Sequence, residues 1–208
     1  MIEVYGKYYS KLNLGCGRDP NKKLPMPWLN VDVDGVACDF MCDIRHLPDS
    51  WTGCAEEVRA SHVLEHFFLD EMPSLLTEWR RVITPGGTVR VIVPDLAIIA
   101  EALIRGVDSK GRKSVSIAET TPIFAQIYGA GYETSKTENP WRHRFLFNEN
   151  ILKELFLMHG FQDARSYHSN EDPAGHYGVQ DDSQNPFSLC VIAQKLKGAE
   201  NDCSIVDV

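Results

Sequence analysis

Lys11-Leu12-Asn13-Leu14-Gly15-Cys16-Gly17 is the stretch that decides the fold: a short strand-like run delivers the chain into a turn framed by two glycines. With no Cβ at 15 and 17, the backbone can bend tightly there and come close to a ligand. Working outward, residues 28–33 alternate apolar and polar before Asp34-Gly35, and residues 38–42 read as a third short strand. Residues 58–61 form a fourth, leaving through His62-Val63-Leu64-Glu65-His66. Met72, Leu75, Leu76, Trp79, Val82 and Ile83 then recur at the spacing of one helical face, which stops before Thr84-Pro85-Gly86-Gly87. Residues 88–93, β-branched almost throughout, predict a buried parallel strand, and 96–104 another helix. Asn148 is placed to cap a helix that turns Ile151, Leu152, Leu155 and Phe156 inward, with Gly160 as its left-handed stop. Residues 161–168 and 187–195 supply two last strands. The alternation over 11–106 is the signature of βαβ units, so the class is α/β with a mostly parallel sheet. A polar loop between the last two strands points to an antiparallel edge.

The 208 residues fit one domain, taken as 1–197 with a short polar tail at 198–208. Two segments break the rhythm, 107–147 and 169–186, and both read as loops or lids over the substrate side. Lysine and arginine number 21 against 29 acidic residues, a formal charge of −8 that argues against nucleic acid as a partner. The N-terminus has no basic region followed by an apolar stretch, and no run reaches the roughly 18 apolar residues of a membrane span, so a cytoplasmic protein is expected. Cys16, Cys38, Cys42, Cys54, Cys190 and Cys203 lack paired metal-ligand spacing and read as reduced, structural thiols.

In a doubly wound sheet ligands sit beyond the carboxyl ends of the strands, so the residues just after each strand are the informative ones. Gly15-Cys16-Gly17 follows the first. Asp32, beside Val33, lies 17 positions beyond Gly15, near the roughly 20-residue spacing at which an acid grips ribose hydroxyls. A nicotinamide dinucleotide would use the same acid, but its fingerprint needs a third glycine and a helix N-terminus for the pyrophosphate, and Pro20 stands there instead. A nucleoside without pyrophosphate fits better. After the third strand, Asp43 offers an acceptor for an exocyclic amine and Ile44 an apolar contact for a flat base.

Taken in order, Leu12-Asn13-Leu14-Gly15-Cys16-Gly17, Trp28-Leu29-Asn30-Val31-Asp32-Val33, Asp43-Ile44-Arg45-His46-Leu47-Pro48, Ala60-Ser61-His62-Val63-Leu64-Glu65-His66-Phe67 and residues 78–95 resemble the successive motifs of class I S-adenosylmethionine (SAM)-dependent methyltransferases of the broad type-11 group. The resemblance is close over about residues 11–95 and loose over the final strands. It implies a Rossmann-like three-layer sandwich whose seven-stranded sheet has its last strand antiparallel. It also implies that Gly15, Cys16 and Gly17 pass under the methionine part of SAM, that Asp32 accepts both ribose hydroxyls with Val33 beside it, that Asp43 and Ile44 hold the adenine, and that Ser61 and His62 line the sulfonium end. Cys16 fills the variable middle position of the glycine turn and reads as packing rather than nucleophile.

His62-x-x-Glu65-His66 also matches the H-x-x-E-H pattern of inverted zinc peptidases. That reading needs the pentapeptide on one helix, whereas His62 follows a strand directly, and no third ligand downstream is assigned by the sequence; no metal is expected. Methyl transfer from a sulfonium is an in-line displacement in which the protein chiefly aligns the acceptor. An acceptor hydroxyl or protonated amine would need a proton acceptor, for which His66 and His143 are the candidates, with His176 behind them. Trp141-Arg142-His143-Arg144-Phe145-Leu146-Phe147 mixes basic and aromatic groups and suits an anionic or sugar-like acceptor, although burial of Phe145 and Phe147 explains it equally. The expected activity is methyl transfer to a small polar molecule; a SAM-binding module without turnover and a zinc hydrolase are the alternatives.

Overall fold

The computed structural model describes residues 1–107, 113, 117–129, 142–179 and 185–198. An N-terminal hairpin of β1 (Ile2–Val4) and β2 (Lys7–Tyr9) turns at Tyr5-Gly6, both with positive φ. The main sheet holds β3 (Lys11–Leu14), β4 (Trp28–Asp32), β5 (Phe40–Met41), β6 (Ala55–Ser61), β7 (Ile83–Pro94), β8 (Phe161–Ser166) and β9 (Ser188–Lys195). Its order is β5-β4-β3-β6-β7-β9-β8. The chain starts at the centre, steps outward through β4 and β5, then jumps back across β3 to β6, which puts the topological switch point between β3 and β6. Pairings from β5 to β7 are parallel, and β9 runs antiparallel to both of its neighbours. The last strand in the chain is antiparallel, as expected; it lies between β7 and β8, so that end of the sheet is antiparallel. The architecture is Rossmann-like.

Side chains alternate across a strand, and here the two faces differ in kind. Leu12, Leu14, Leu29, Val31, Val58, Ala60, Val89 and Val91 form one face of the main core. Against it pack α1 (Met72–Val82), which buries Met72, Leu75, Leu76, Trp79 and Val82 as its apolar spacing requires, and α4 (Glu149–Met158). Asn148 caps α4 by accepting a hydrogen bond from the Ile151 amide at 2.9 Å, and Gly160 follows its end with φ +77°. Leu152 and Phe156 point inward; Ile151, expected beside them, is 37 % exposed. Between these helices in the chain, α2 (Leu96–Arg105) is capped by Asp95 and meets α3 (Ile117–Tyr128) through Ile99, Ala102 and Ile123. Helix α3 occupies part of the 107–147 segment read as a loop; residues 108–112, 114–116 and 130–141 lie outside the described residues.

The opposite face is polar over β3, β4 and β6, with a small apolar cluster of Ile92, Tyr167, Cys190 and Ile192 farther along the sheet. Asn13, Asn30 and Arg59 point to this face, and among the described residues no α-helix connects β3, β4, β5 and β6, only 3-10 turns at Pro20–Lys22 and Asp49–Trp51. Cover comes instead from the connection between β8 and β9, through a 3-10 turn at Ser169–Glu171 and the single turn α5 (Pro173–His176). Asp172, fully buried, accepts from Arg59 Nε at 2.9 Å and from the Tyr167 hydroxyl at 2.8 Å. Arg59 Nη1 donates to Asn13 Oδ1 at 3.2 Å, and Asn13 Nδ2 to Asn30 Oδ1 at 2.9 Å. Leu24, Trp28 and Ala174 close the cover with a small apolar cluster. Residues 169–179 are thus packed onto the sheet, not held over a site as a lid, because a buried guanidinium requires its carboxylate to be buried with it. The expected tail begins at the end of the described residues. No helix among the described residues is long and apolar enough to cross a membrane.

Removing one partner of a buried ion pair leaves an uncompensated charge. Asp172→Ala is expected to lower the free energy of unfolding in urea by about 3–5 kcal/mol, and Tyr167→Phe, which deletes one hydrogen bond to the same carboxylate, by about 1 kcal/mol.

Candidate active site

The glycine turn is held by the neighbouring strand: the Gly15 amide donates to Val31 O at 2.8 Å and the Cys16 amide to the same oxygen at 3.3 Å. Gly15 and Gly17 have φ of +66° and +76°, the left-handed region that side chains avoid. A Cβ on Gly15 would fall 2.4 Å from Val63 Cγ2, whereas one on Gly17 would meet nothing within 4 Å. Gly15 is therefore required for packing as well as for the turn. The space above Gly17 at the strand end is open. Burial and then the Asp32 carboxylate push the Cys16 thiol up to about 12, so Cys16 is a packing residue with no thiolate to offer.

Asp32 ends β4 and turns its carboxylate back to the glycines. Oδ2 accepts from the Gly17 amide at 2.8 Å and Oδ1 from the Asp34 amide at 3.0 Å. Each oxygen keeps capacity for a further donor, as a ribose diol needs. Val33 is 63 % exposed beside it, an apolar surface left for a ligand to cover. Asp32 also accepts the Cys42 amide at its main-chain oxygen, 2.9 Å away, so Asp43 emerges at the same end of the sheet on the adjoining strand. The Asp43 carboxylate, however, is already gripped by Arg45: the amide and Nε donate to Oδ1 at 2.9 and 3.0 Å, and Nη2 to Oδ2 at 2.7 Å. Those hydrogen bonds hold its pKa below the ordinary carboxylate value. Any further donor to Asp43 would share it with an exposed guanidinium. Ile44 is buried, its carbonyl fixed by Trp79 Nε1 at 3.2 Å.

Ser61 and His62 follow β6, next to the glycine turn, because Leu14 pairs with Ala60. The Ser61 hydroxyl is buried with no hydrogen-bond partner, a polar atom that an incoming group would satisfy. His62 adopts φ +53°, costly for a side chain with a Cβ, and its ring does not face the cleft freely: Nε2 lies 3.0 Å from Ser188 Oγ and Nδ1 3.1 Å from Glu65 Oε1. The left-handed kink at His62 and a 3-10 turn at Leu64–His66 keep the H-x-x-E-H residues off a common α-helix, removing the geometry that a zinc peptidase needs.

What the sequence did not reveal is the surroundings of Glu65. Its side chain is fully buried, and His62 Nδ1, 3.1 Å from Oε1, is its nearest polar neighbour among the described residues. Around it stand three imidazoles. The amides of Arg144 and Phe145 donate to the Glu65 main-chain oxygen at 2.6 and 3.3 Å, bringing His143 beside His66 with ring centroids 5.0 Å apart. His143 Nε2 lies 3.9 Å from Glu65 Oε1. Burial lowers the His143 pKa in spite of the nearby carboxylate. Burial alone would raise the Glu65 carboxyl, but His62, then His66 and His143, outweigh it and hold it low. The aromatics of the same stretch are structural: Phe147 is buried and stacks edge-on against Phe145. His176 is elsewhere, lining a cavity of about 290 Å³ with Lys11 and Trp28 where β3 and β4 begin. That is the far end of the strands from the glycine turn, so His176 is no partner to the other two. All five described cysteines are free thiols.

The two glycines make separable demands. Gly17→Ala is expected to cost only the conformational term, about 1–2 kcal/mol. Gly15→Ala adds the overlap with Val63, for a total of about 2–5 kcal/mol. Urea unfolding of both variants measures the difference, and equal losses would contradict the packing role of Gly15.

No protein-family model matches the sequence, and no curated protein matches it. Solved structures do. A SAM-dependent methyltransferase from Methanosarcina mazei is 16 % identical, with a TM-score of 0.55 over 90 % of this chain and 92 % of that one. A SAM-dependent methyltransferase from Archaeoglobus fulgidus is 14 % identical, with a TM-score of 0.53 over 90 % and 86 %. The CurJ carbon methyltransferase is 14 % identical, with a TM-score of 0.51 over 94 % of this chain, which spans 50 % of that structure's length. At such identities the likeness is one of architecture, and it agrees with the strand order: the chain has the fold of the class I SAM-dependent methyltransferases.

Proposed function

We propose that this chain is a SAM-dependent methyltransferase that moves a methyl group to an oxygen or nitrogen of a small polar acceptor, such as a saccharide precursor. One observation carries the proposal: Asp43–Ile44, Asp32–Val33, Gly15–Gly17 and Ser61 stand at the carboxyl ends of four consecutive parallel strands, β5, β4, β3 and β6. In that order they match the adenine, ribose, methionine and sulfonium of one extended ligand. SAM, when bound, supplies an activated methyl carbon; the acceptor's lone pair forms the new bond as the carbon–sulfur bond breaks, leaving S-adenosylhomocysteine. The chain's own work is alignment and exclusion of water. Asp32 fixes the sugar while the open backbone at Gly17 admits the amino-acid end. Beyond Ser61, the Glu65–His66–His143 cluster forms the acceptor wall, and its histidines are the groups placed to assist loss of the acceptor's proton. The net charge of −8 favours a small acceptor over a polyanion.

Isothermal calorimetry with SAM tests the cofactor assignment. Asp32→Ala is expected to weaken binding by about 1.5–3 kcal/mol, the usual scale for hydrogen bonds to a charged group, and Asp43→Ala by less, since Arg45 already occupies that carboxylate. An unchanged dissociation constant in folded Asp32→Ala protein would contradict the reading. Label transfer from SAM to fractions of small polar metabolites is the expected sign of turnover; binding without transfer to any fraction would reassign the chain as a SAM-binding module.

A further inference from the structure

We infer that Glu65, His66 and His143 form a binding site for one divalent transition-metal ion at the acceptor end of the cleft. One ligand atom from each of the three lies within 4.8 Å of the other two. A tetrahedral ion with bonds of about 2.0–2.2 Å holds its ligands roughly 3.3–3.6 Å apart, so a movement of about an ångström by two imidazole rings closes the set.

The hydrogen bonding around the cluster leaves it short of a cation. His66 Nδ1 lies 3.1 Å from the main-chain oxygen of Arg142, and His143 Nδ1 lies 2.9 Å from that of Gln126. A carbonyl oxygen only accepts, so in both rings Nδ1 carries the proton and, in the neutral ring, Nε2 presents a lone pair. An ionised carboxylate has only lone pairs as well. Glu65 is fully buried; His62 Nδ1 lies 3.1 Å from Oε1, and Oε2 has no hydrogen-bond partner among the described residues. Three sets of lone pairs therefore lie close together, on a buried carboxylate and two partly buried rings. Imidazoles whose second nitrogen donates to a main-chain carbonyl are the usual arrangement of metal-bound histidine, in which the outer bond fixes both tautomer and ring orientation.

The donor set selects the ion. Two imidazole nitrogens and one carboxylate suit zinc, iron or cobalt, whereas magnesium and calcium prefer oxygen throughout. Three protein ligands leave a position open, the mark of a site that acts on a bound molecule. This differs from the H-x-x-E-H reading: Glu65 is a ligand and not a base, His62 stands outside, and the third ligand comes from a distant segment. Resting on the proposed methyltransferase activity, the open position would take the acceptor's oxygen or nitrogen and ease loss of its proton.

Chelator-stripped protein is titrated with Zn²⁺ by calorimetry and with Co²⁺ by visible absorption, and SAM binding is measured on the same samples. The expected result is one equivalent of Zn²⁺ and a ligand-field spectrum with Co²⁺. Both should be weakened at least about 100-fold in His66→Ala and in His143→Ala and unchanged in His46→Ala, an exposed control. Zn²⁺ should raise the melting temperature of the wild type and not of either cluster variant; if Glu65→Gln does not fold, the two histidine variants decide. No binding to the wild type, or equal binding by all variants, overturns the site. With SAM binding intact, that outcome leaves the methyltransferase reading standing; metal binding without SAM binding does the reverse.

Discussion

The buried contact between Arg59 and Asp172 is the constraint around which the rest of the sheet is arranged. A doubly wound sheet needs both faces covered, and the first half of this chain is too short to supply helices: only 13 residues separate β3 from β4. Without apolar helices to receive them, residues on that face could remain polar provided each found a partner. Asn13, Asn30 and Arg59 form a connected set, and Asp172, 113 positions from Arg59, completes it from the β8–β9 connection. The cover is a strap held by charge, where the opposite face is held by Trp79, Phe156 and their neighbours. Short connections also bring the glycine turn, Asp32 and Asp43 together within a span of 29 residues of sequence.

The legibility of the sequence followed the range of the interactions. Strands, the amphipathic α1 and the capped α4 were readable because their periodicity and caps are local, and the strand-end residues were readable because topology places them together once the strands are known. The N-terminal hairpin escaped notice, although Ile2 and Val4 flanking Glu3 before Tyr5-Gly6 carry the alternation and turn that would have found it. Helix α3 lies in a segment without strong apolar patterning, its one fully buried residue in the described part being Ile123. The strap over residues 169–179 looked like a loop because the stretch 169–186 is rich in Gly, Pro, Asp and Asn, and only a partner 113 positions away reveals that Asp172 is structural. The meeting of His66 with His143 is of the same kind: 77 positions apart, they are joined by amide bonds to the Glu65 carbonyl that no motif encodes.

Donor and acceptor ends of the cleft are mechanically linked through Gly15. The volume a Cβ would fill there is taken by Val63, so the glycine turn and the turn that presents Glu65 and His66 are in van der Waals contact. His62, between them, is held in a left-handed conformation by Ser188 on one side and Glu65 on the other. Strain of this kind persists only where surrounding contacts over-determine it. Anchoring by an internal strand, β9, and by a fully buried carboxylate supplies that over-determination.

A buried carboxylate without hydrogen bonds is a burden on stability, since apolar residues of similar volume commonly replace buried ionic groups at no cost. Another buried acid, Asp172, is met by four donors: two from Arg59 and Tyr167 side chains, a second guanidinium nitrogen, and the Ala174 amide. Glu65 has only the His62 ring nitrogen at 3.1 Å, yet the fold uses two main-chain hydrogen bonds to place His143 beside it and one main-chain carbonyl to orient each of His66 and His143. Packing does not require oriented rings. An arrangement that fixes two imidazole tautomers around a buried acid suits a cation or a reacting proton.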